Sequence, residues 1–333
     1  MDVIRLEHGS GGSLSRELVE DVIYPRLKNS KYTALTDGTV IPVEGTPVFT
    51  TDTYVVDPPF FPGGDIGTLA VFGTCNDLAV SGARPQYLSL GFILEEGFPV
   101  SDLERVLDSL TAAAAEAGVA IVTGDTKVVP KGKGGGIYIN SSGVGILQDE
   151  TELGTQQISL GDKIVVSSPV GEHGIAVLAA REKLSVAKNL SSDCRPLYPA
   201  CRTLLQFGST VRFMRDATRG GLAAVFNEAV TGLSVGFRVE EEAVPVKETV
   251  RTVSEILGLN PFEVANEGVL VAVIDGARAE EITAELRSVE GCGEAAVVGE
   301  VVEEPAGRVL LSTVVGGSRI LDFPRGLLLP RIC

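Results

Sequence analysis

Apolar residues recur along this chain in two rhythms, a helical spacing in some stretches and short β-branched runs in others, and the two alternate from end to end. Over 13–28, Leu14, Leu18, Val22 and Leu27 fall at helical spacing behind a glycine-rich start, which predicts an amphipathic helix. PVFTTDTYVV at 47–56 predicts a strand. Helical spacing returns over 65–80, and Gly82 and Pro85 close it before a strand at Tyr87–Leu94. Ser101 and Glu104 spell a capping box, after which Leu103, Val106, Leu107 and Leu110 make a buried stripe that Gly118 ends. A strand at Val119–Val122 follows, then a turn at Gly124-Asp125, a glycine and lysine loop at 130–136 and a strand at 137–147. The second half continues the alternation, with strand 163–168, helices 173–183 and 218–230, strand 269–274, helix 277–289 and strand 295–302.

Two α/β units are the economical reading of this order, and 333 residues suffice for both at the usual ~100–200 residues each. The predicted division is an N-terminal arm and helix over 1–34, a first domain over 35–150, a second over 151–321 and a tail over 322–333. The polar stretch QDETELGTQQ connects the halves. Pro324 and Pro330 lie in the tail, which neither core needs and which reaches roughly 40 Å when extended.

Charge narrows the partners. The formal net charge is −16 and no Lys/Arg stripe is present to neutralise a run of phosphates, so nucleic acid is not an expected partner. A phosphate-rich substrate would then require metal ions as adaptors. No run nears the roughly 18 apolar residues of a membrane span, and MDVIRLEHGSGG is no signal peptide, so a soluble cytoplasmic protein without membrane contact is expected. Cys75, Cys194, Cys201, Cys292 and Cys333 form no C-x-x-C pair and have only His8 and His173 beside them, which argues for reduced thiols rather than a zinc site.

Asp37 in LTDG, Asp52 in TTDT, Asp77 in CNDLA and Asp125 in TGDTK stand where chains commonly turn. Singly, each reads more readily as an ordinary turn or cap. Together they supply the hard oxygen donors that Mg²⁺ takes alongside substrate phosphates. Neither the P-loop pattern nor G-x-G-x-x-G occurs, so a nucleotide would need another cradle. Gly9–Gly12 before a helix is one candidate, or else a mobile arm; Arg215-Asp216-Ala217-Thr218-Arg219-Gly220-Gly221 is another, or else a capped helix start with a surface ion pair. Glu267 in the Asn266-Glu267-Gly268 turn can act as a general base, and Lys127 can steady a developing negative charge, although each alone also reads as a solvated charge. The last residue, Cys333 in PRIC, is not a prenylation box; a thiol on an arm can travel between active sites, or is simply exposed.

HGSGG at 8–12, TDTYVVDPPFFPGGDIG at 51–67, NDLAVSGARP at 76–85, GFILEEG at 91–97, TGDTKVVP at 123–130, RDATRGG at 215–221, ANEG at 265–268 and the terminal PRIC together resemble the HypE family of hydrogenase maturation factors. That family belongs to the superfamily of aminoimidazole ribonucleotide synthetase and selenophosphate synthetase. The likeness spans essentially the whole chain. No Cys precedes Cys75, where a selenophosphate synthetase would carry its reactive residue near the glycine loop. The resemblance implies an α/β (α+β) two-domain PurM-like fold whose N-terminal mixed sheets form a shared β-barrel in a homodimer. It also implies ATP-dependent dehydration of a carbamoyl group on Cys333 to a thiocyanate, for the cyanide ligands of [NiFe]-hydrogenase. The implied partners are the carbamoyltransferase HypF, which loads the thiol, and the HypC–HypD scaffold, which receives the cyano group. By the same resemblance Glu267 is the base and Lys127 assists. Gly11, Gly12, Asp52, Asp77, Asp125, Thr126, Asp216, Thr218, Gly220 and Gly221 hold ATP, and Mg²⁺ is held by Asp52, Asp77, Asp125 and Asp216 with Asp37.

Overall fold

The computed structural model describes residues 1–32, 35–148, 152–184 and 189–325. The chain divides into two compact units, Met1–Leu78 with Ala83–Leu147, and Ala79–Gly82 with the residues from Gln148 onward. The expected two-domain mixed architecture is present.

In the first unit α1 (Ser13–Glu17), a π-helical turn (Leu18–Ile23) and α2 (Tyr24–Leu27) run on as one helical segment with Leu18, Val22 and Leu27 buried. Then follow β1 (Pro47–Tyr54), a small hairpin of β2 (Phe60–Phe61) and β3 (Gly64–Asp65), α3 (Ile66–Val80), β4 (Ala83–Glu95), α4 (Val100–Ala117), β5 (Ala120–Val129) and β6 (Ile137–Leu147). The sheet order is β1-β6-β4-β5, with β4 and β5 parallel and the other pairs antiparallel. Alternation along β4 decides which face is inside: Leu88, Leu90, Phe92 and Leu94 are buried, whereas Ile93 on the other face is 41% exposed. α3 covers the buried face, where the Ser141 hydroxyl of β6 donates to the Ala70 carbonyl at 2.8 Å. The stripe of α4, Leu103, Val106, Leu107 and Leu110, is wholly buried. Each such side chain contributes about 1.5–3 kcal/mol.

Three local expectations are corrected here. α4 starts at Val100 behind Pro99 without a side-chain cap, so Ser101 and Glu104 form no capping box; the Val100 N–H donates instead to Asp2 O at 3.0 Å, and Glu104 pairs with Arg26 at 3.0 Å. Gly124-Asp125 is not a turn, because β5 runs on beside β4 to Val129. For the same reason Asp52, Asp77 and Asp125 do not sit in turns but inside β1, α3 and β5, where pairing with neighbours sustains the element.

The second unit contains β7 (Lys163–Val166), α5 (Glu172–Glu182), α6 (Tyr198–Leu205), β8 (Val211–Asp216), α7 (Gly221–Val230), β9 (Gly236–Glu240), α8 (Glu248–Leu257), β10 (Leu270–Ile274), α9 (Ala279–Arg287), β11 (Ala296–Val302), β12 (Val309–Ser312) and β13 (Ser318–Ile320). Its sheet order is β13-β12-β9-β11-β7-β10-β8, antiparallel except for β9 with β12. β10 is buried on both faces: Val271 and Val273 pack toward Phe226 of α7, and Leu270, Ala272 and Ile274 pack with Leu204 of α6 and Ile282 of α9. A strand enclosed in this way is continuously apolar, which makes it legible in the sequence. The sequence pattern does not announce α6, β8, β9, α8, β12 and β13; they are short, and their pairing supplies what their composition lacks. Leu321 is buried, and its carbonyl accepts from Asn227 at 2.9 Å, after which the chain emerges to Arg325. Cys333 and the rest of the PRIC motif lie outside the described residues.

Candidate active site

The N-terminal sheet carries its candidate side chains in two places. At the β1 edge, Thr50, Asp52 and Tyr54 alternate onto the face covered by α3. The Thr50 hydroxyl donates to Asp77 Oδ2 of α3 at 3.1 Å, and Asp52 follows two residues along the same strand face. The second place is the β5 edge. Lys127 Nζ stands 2.8 Å from Asp125 Oδ2, a contact that holds the Asp125 carboxyl below its ordinary value, and the Thr126 N–H donates to the same carboxylate. Gly9 of the N-terminal glycine loop presses on this strand: a Cβ there would lie 2.8 Å from Val128 Cβ. Gly11 and Gly12 face open space. Asp37 is exposed in a bend that Thr39 fastens to the head of β5 through Val122 O at 2.5 Å.

Register separates the two groups. Asp52 lies in line with Ser141, Leu90 and Gly124, whereas Asp125 lies in line with Gly91, Asn140 and Thr53, one residue out of step and therefore on the opposite face. Three strand spacings of ~4.8 Å put them about 14 Å apart. Among the described residues no three His, Cys, Asp or Glu side chains gather into a metal-holding group. The five expected metal carboxylates are thus not one preassembled cage. Asp77, bonded to Thr50, and Asp52, two residues along the same strand face, are hard oxygen donors of the kind Mg²⁺ takes, an ion that usually binds one or two carboxylates plus phosphate oxygens.

In the second unit Asp216 closes β8 and is buried. The turn into α7 needs glycine twice: Gly220 has φ +77°, and at Gly221 a Cβ would lie 2.5 Å from Val264 O. α7 therefore begins abruptly, with its first N–H groups at the end of the RDATRGG turn. Arg215 pairs with Glu228 at 3.0 Å, which is the ion-pair alternative for that arginine.

Glu267 sits in the turn before β10 and is half-buried. Its neighbour Asn266 is buried and fully used: Oδ1 accepts from Gly171 N–H at 2.6 Å, and Nδ2 donates to Ala217 O at 2.7 Å and Val264 O at 3.3 Å. Asn266 thereby ties the Glu267 turn to the end of β8 beside Asp216. A cavity of about 450 Å³ in the same unit is lined by Ser168, Glu172, Asp193, Arg195, Lys247 and Glu294 among others. Sequence reasoning missed Asp193 and Arg195; nothing in SDCRPL signals that their charged groups turn onto another segment's backbone. His173 is buried beside Ser192, Nδ1 to Oγ 2.8 Å, and burial pushes its pKa down to about 3, so it is a neutral packing residue. Burial pushes the Cys75 thiol up to about 12 and raises Cys201 and Cys292, which makes these three unreactive.

An aspartate bonded to a threonine at a sheet edge, and a glycine turn that opens a helix beside a buried Asp, are compatible with phosphate binding without a P-loop. The family model for AIR synthase related proteins matches in both parts, its N-terminal domain over residues 36–147 and its C-terminal domain over 160–312. The class is therefore that of AIR synthase related proteins. The carbamoyl dehydratase HypE of Rhizobium leguminosarum bv. viciae is 45% identical over 332 residues, covering 99% of this chain and 95% of that protein. A solved structure of hydrogenase maturation protein HypE in complex with ATP superposes with a TM-score of 0.94 at 42% identity, covering 99% of both chains. A HypE chain solved in a HypE–HypF complex follows with a TM-score of 0.81 at 41% identity, covering 92% of this chain and 99% of that one. Within the class, this chain belongs to the HypE family of carbamoyl dehydratases.

Proposed function

We propose that this chain is an ATP-dependent carbamoyl dehydratase acting on its own C-terminal thiol in [NiFe]-hydrogenase maturation. The observation that carries this is the end-to-end likeness to HypE proteins, one of them solved with ATP. HypF places a carbamoyl group on Cys333 as a thioester-like S–C(=O)–NH₂. An amide oxygen is a poor leaving group, so the γ-phosphoryl of ATP is transferred to it and the oxygen departs as phosphate. Loss of both N–H protons leaves S–C≡N, and the cyano group passes to iron on the HypC–HypD scaffold.

Glu267 accepts a proton from the activated amide and Lys127 offsets negative charge. Gly11, Gly12, Thr126, Thr218, Gly220 and Gly221 contribute N–H or hydroxyl groups to the nucleotide, those at the head of α7 with a favourable helix dipole. Asp52 and Asp77, with Asp37 and Asp216 as further oxygen donors, would hold Mg²⁺, whose contribution is to neutralise phosphate charge, and Asp125, on the opposite sheet face, would serve a separate ion. Among the described residues no helix is long and apolar enough to cross a membrane. The open face of the N-terminal sheet exposes Phe49 (68%), Ile93 (41%) and Val55 (37%), an apolar surface that a second copy covers in a homodimer.

Intact-protein mass spectrometry tests the reaction. Incubation with HypF, carbamoyl phosphate and ATP adds about 43 Da, and further ATP–Mg²⁺ removes about 18 Da, neither step occurring in Cys333→Ala. A mass that never changes while ATP binds normally refutes self-modification.

A further inference from the structure

The loop that carries Glu267 is gripped from both sides by one short segment of the same unit. Asp193 accepts from the Glu267 N–H at 3.1 Å and from the Gly268 N–H at 3.2 Å. Two residues on, Arg195 donates through Nε at 3.0 Å and through Nη2 at 2.8 Å to the Gly268 carbonyl, and its Nη2 also donates to Ser168 Oγ at 2.8 Å. Both polar groups of the Gly268 peptide and the amide of Glu267 are thus bound by charged side chains, the stronger kind of hydrogen bond. The backbone is shaped for the grip. A Cβ on Gly268 would stand 1.9 Å from Asp193 O, and one on Gly291 would stand 2.0 Å from Arg195 Nη1, so the guanidinium lies where only glycine admits it.

We propose that Asp193 and Arg195 are positioning residues for the dehydration, fixing the Glu267 carboxylate by clamping its backbone. This rests on the assignment of Glu267 as the base. A purely architectural contact does not require ionised groups, since peptide units ordinarily bind one another in turns. Here a carboxylate is kept where burial opposes its charge: the residue is half-buried as a whole but its carboxyl is enclosed, which pushes the pKa up to about 6 against the pull of the two N–H donors and of Arg195. Glu172, itself paired with Lys247 at 2.8 Å, adds to the rise, and Cys194 and Glu294 line the same cavity. Protonating Asp193 removes an acceptor from one of the two N–H groups and loosens the turn on one side.

The test is single-turnover dehydration of the carbamoylated full-length protein, with ATP affinity measured separately, for the unaltered chain and for Asp193→Asn, Arg195→Lys and Glu267→Gln. Asp193→Asn and Arg195→Lys are expected to slow the reaction at least tenfold while the Kd for ATP stays within about threefold. The unaltered rate falls as pH drops through about 6, and that limb is missing in Asp193→Asn. A normal rate with the acid limb intact in Asp193→Asn overturns the proposal, as does a rate loss matched by an equal loss of ATP affinity. Should Asp193→Asn not fold, a normal rate in Arg195→Lys, or an unaltered chain with no limb near that pH, overturns it alone. Glu267→Gln separates the two ideas: full activity there defeats the assignment of the base, whereas an inactive Glu267→Gln beside a normal Asp193→Asn defeats only the clamp.

Discussion

Gly268→Ala is the sharpest single change the structure offers. The added Cβ would lie 1.9 Å from Asp193 O and 2.7 Å from Arg195 Cγ, and the nearer obstacle is backbone that cannot swing aside. Restoring an ordinary carbon–oxygen contact of ~3.4 Å requires a movement of about 1.5 Å. That exceeds the slack in the Asp193 bonds, which at 3.1 and 3.2 Å are already near the limit for N–H···O, and it disturbs the carbonyl held by Arg195. Weakening two charged hydrogen bonds costs about 3 kcal/mol, or a Tm loss of roughly 6–12 °C in the C-terminal unit. A misplacement of about 1 Å at a catalytic group slows chemistry on the order of 100-fold. Scanning calorimetry reads the first quantity and mass-resolved single-turnover dehydration the second. Gly293→Ala is the control, since a Cβ at that position, on the rim of the same cavity, meets nothing within 4 Å and is expected to change neither. A Gly268→Ala protein that turns over within threefold of the unaltered chain with its Tm intact would refute the close-approach argument.

Two further outcomes are expected. The folded pKa of Asp193 is raised from 3.8 to about 6, so the native state holds a proton that the unfolded chain has released; stability is fullest below about pH 4, declines between pH 4 and 6 and is level above. In denaturant titrations across that range this group should contribute a loss of about 2–3 kcal/mol, seen as that much less decline in Asp193→Asn than in the unaltered chain. Asp52→Asn and Asp77→Asn should each raise the Mg²⁺ concentration needed for half-maximal ATP hydrolysis by at least about tenfold, with the circular dichroism spectrum unchanged; an unaltered Mg²⁺ dependence in both removes this pair from the metal site.

Much of the fold is legible in the sequence because its elements are extreme cases of their kind. α4 spells its buried face at Leu103, Val106, Leu107 and Leu110 and its stop at Gly118, whose φ is +69°. β6 alternates over the expected 137–147. β8 and β9 escape notice because half of each is polar, and they exist as strands only through pairing with β10 and β11. In the site, the short-range grammar is visible: Gly220-Gly221 opening a helix, Asp216 ending a strand, Glu267 in a turn. Asp125 misleads because Gly-Asp is a turn signal locally, whereas the parallel pairing of β5 with β4 outweighs it.

By itself the sequence determined the secondary-structure rhythm, the two-unit order and the inventory of acids, glycines and cysteines, since these depend on neighbours a few residues apart. Only the tertiary structure decided which of those groups meet. It bonded Asp77 to Thr50 of a distant strand, put Asp125 on the face opposite Asp52 and against Lys127, and bound the Glu267 turn to Asp193 and Arg195 across more than 70 residues of chain. A side chain's face is fixed by strand register, and its partner by how a sheet brings distant segments together; both arise from packing the whole unit, so no local pattern encodes them.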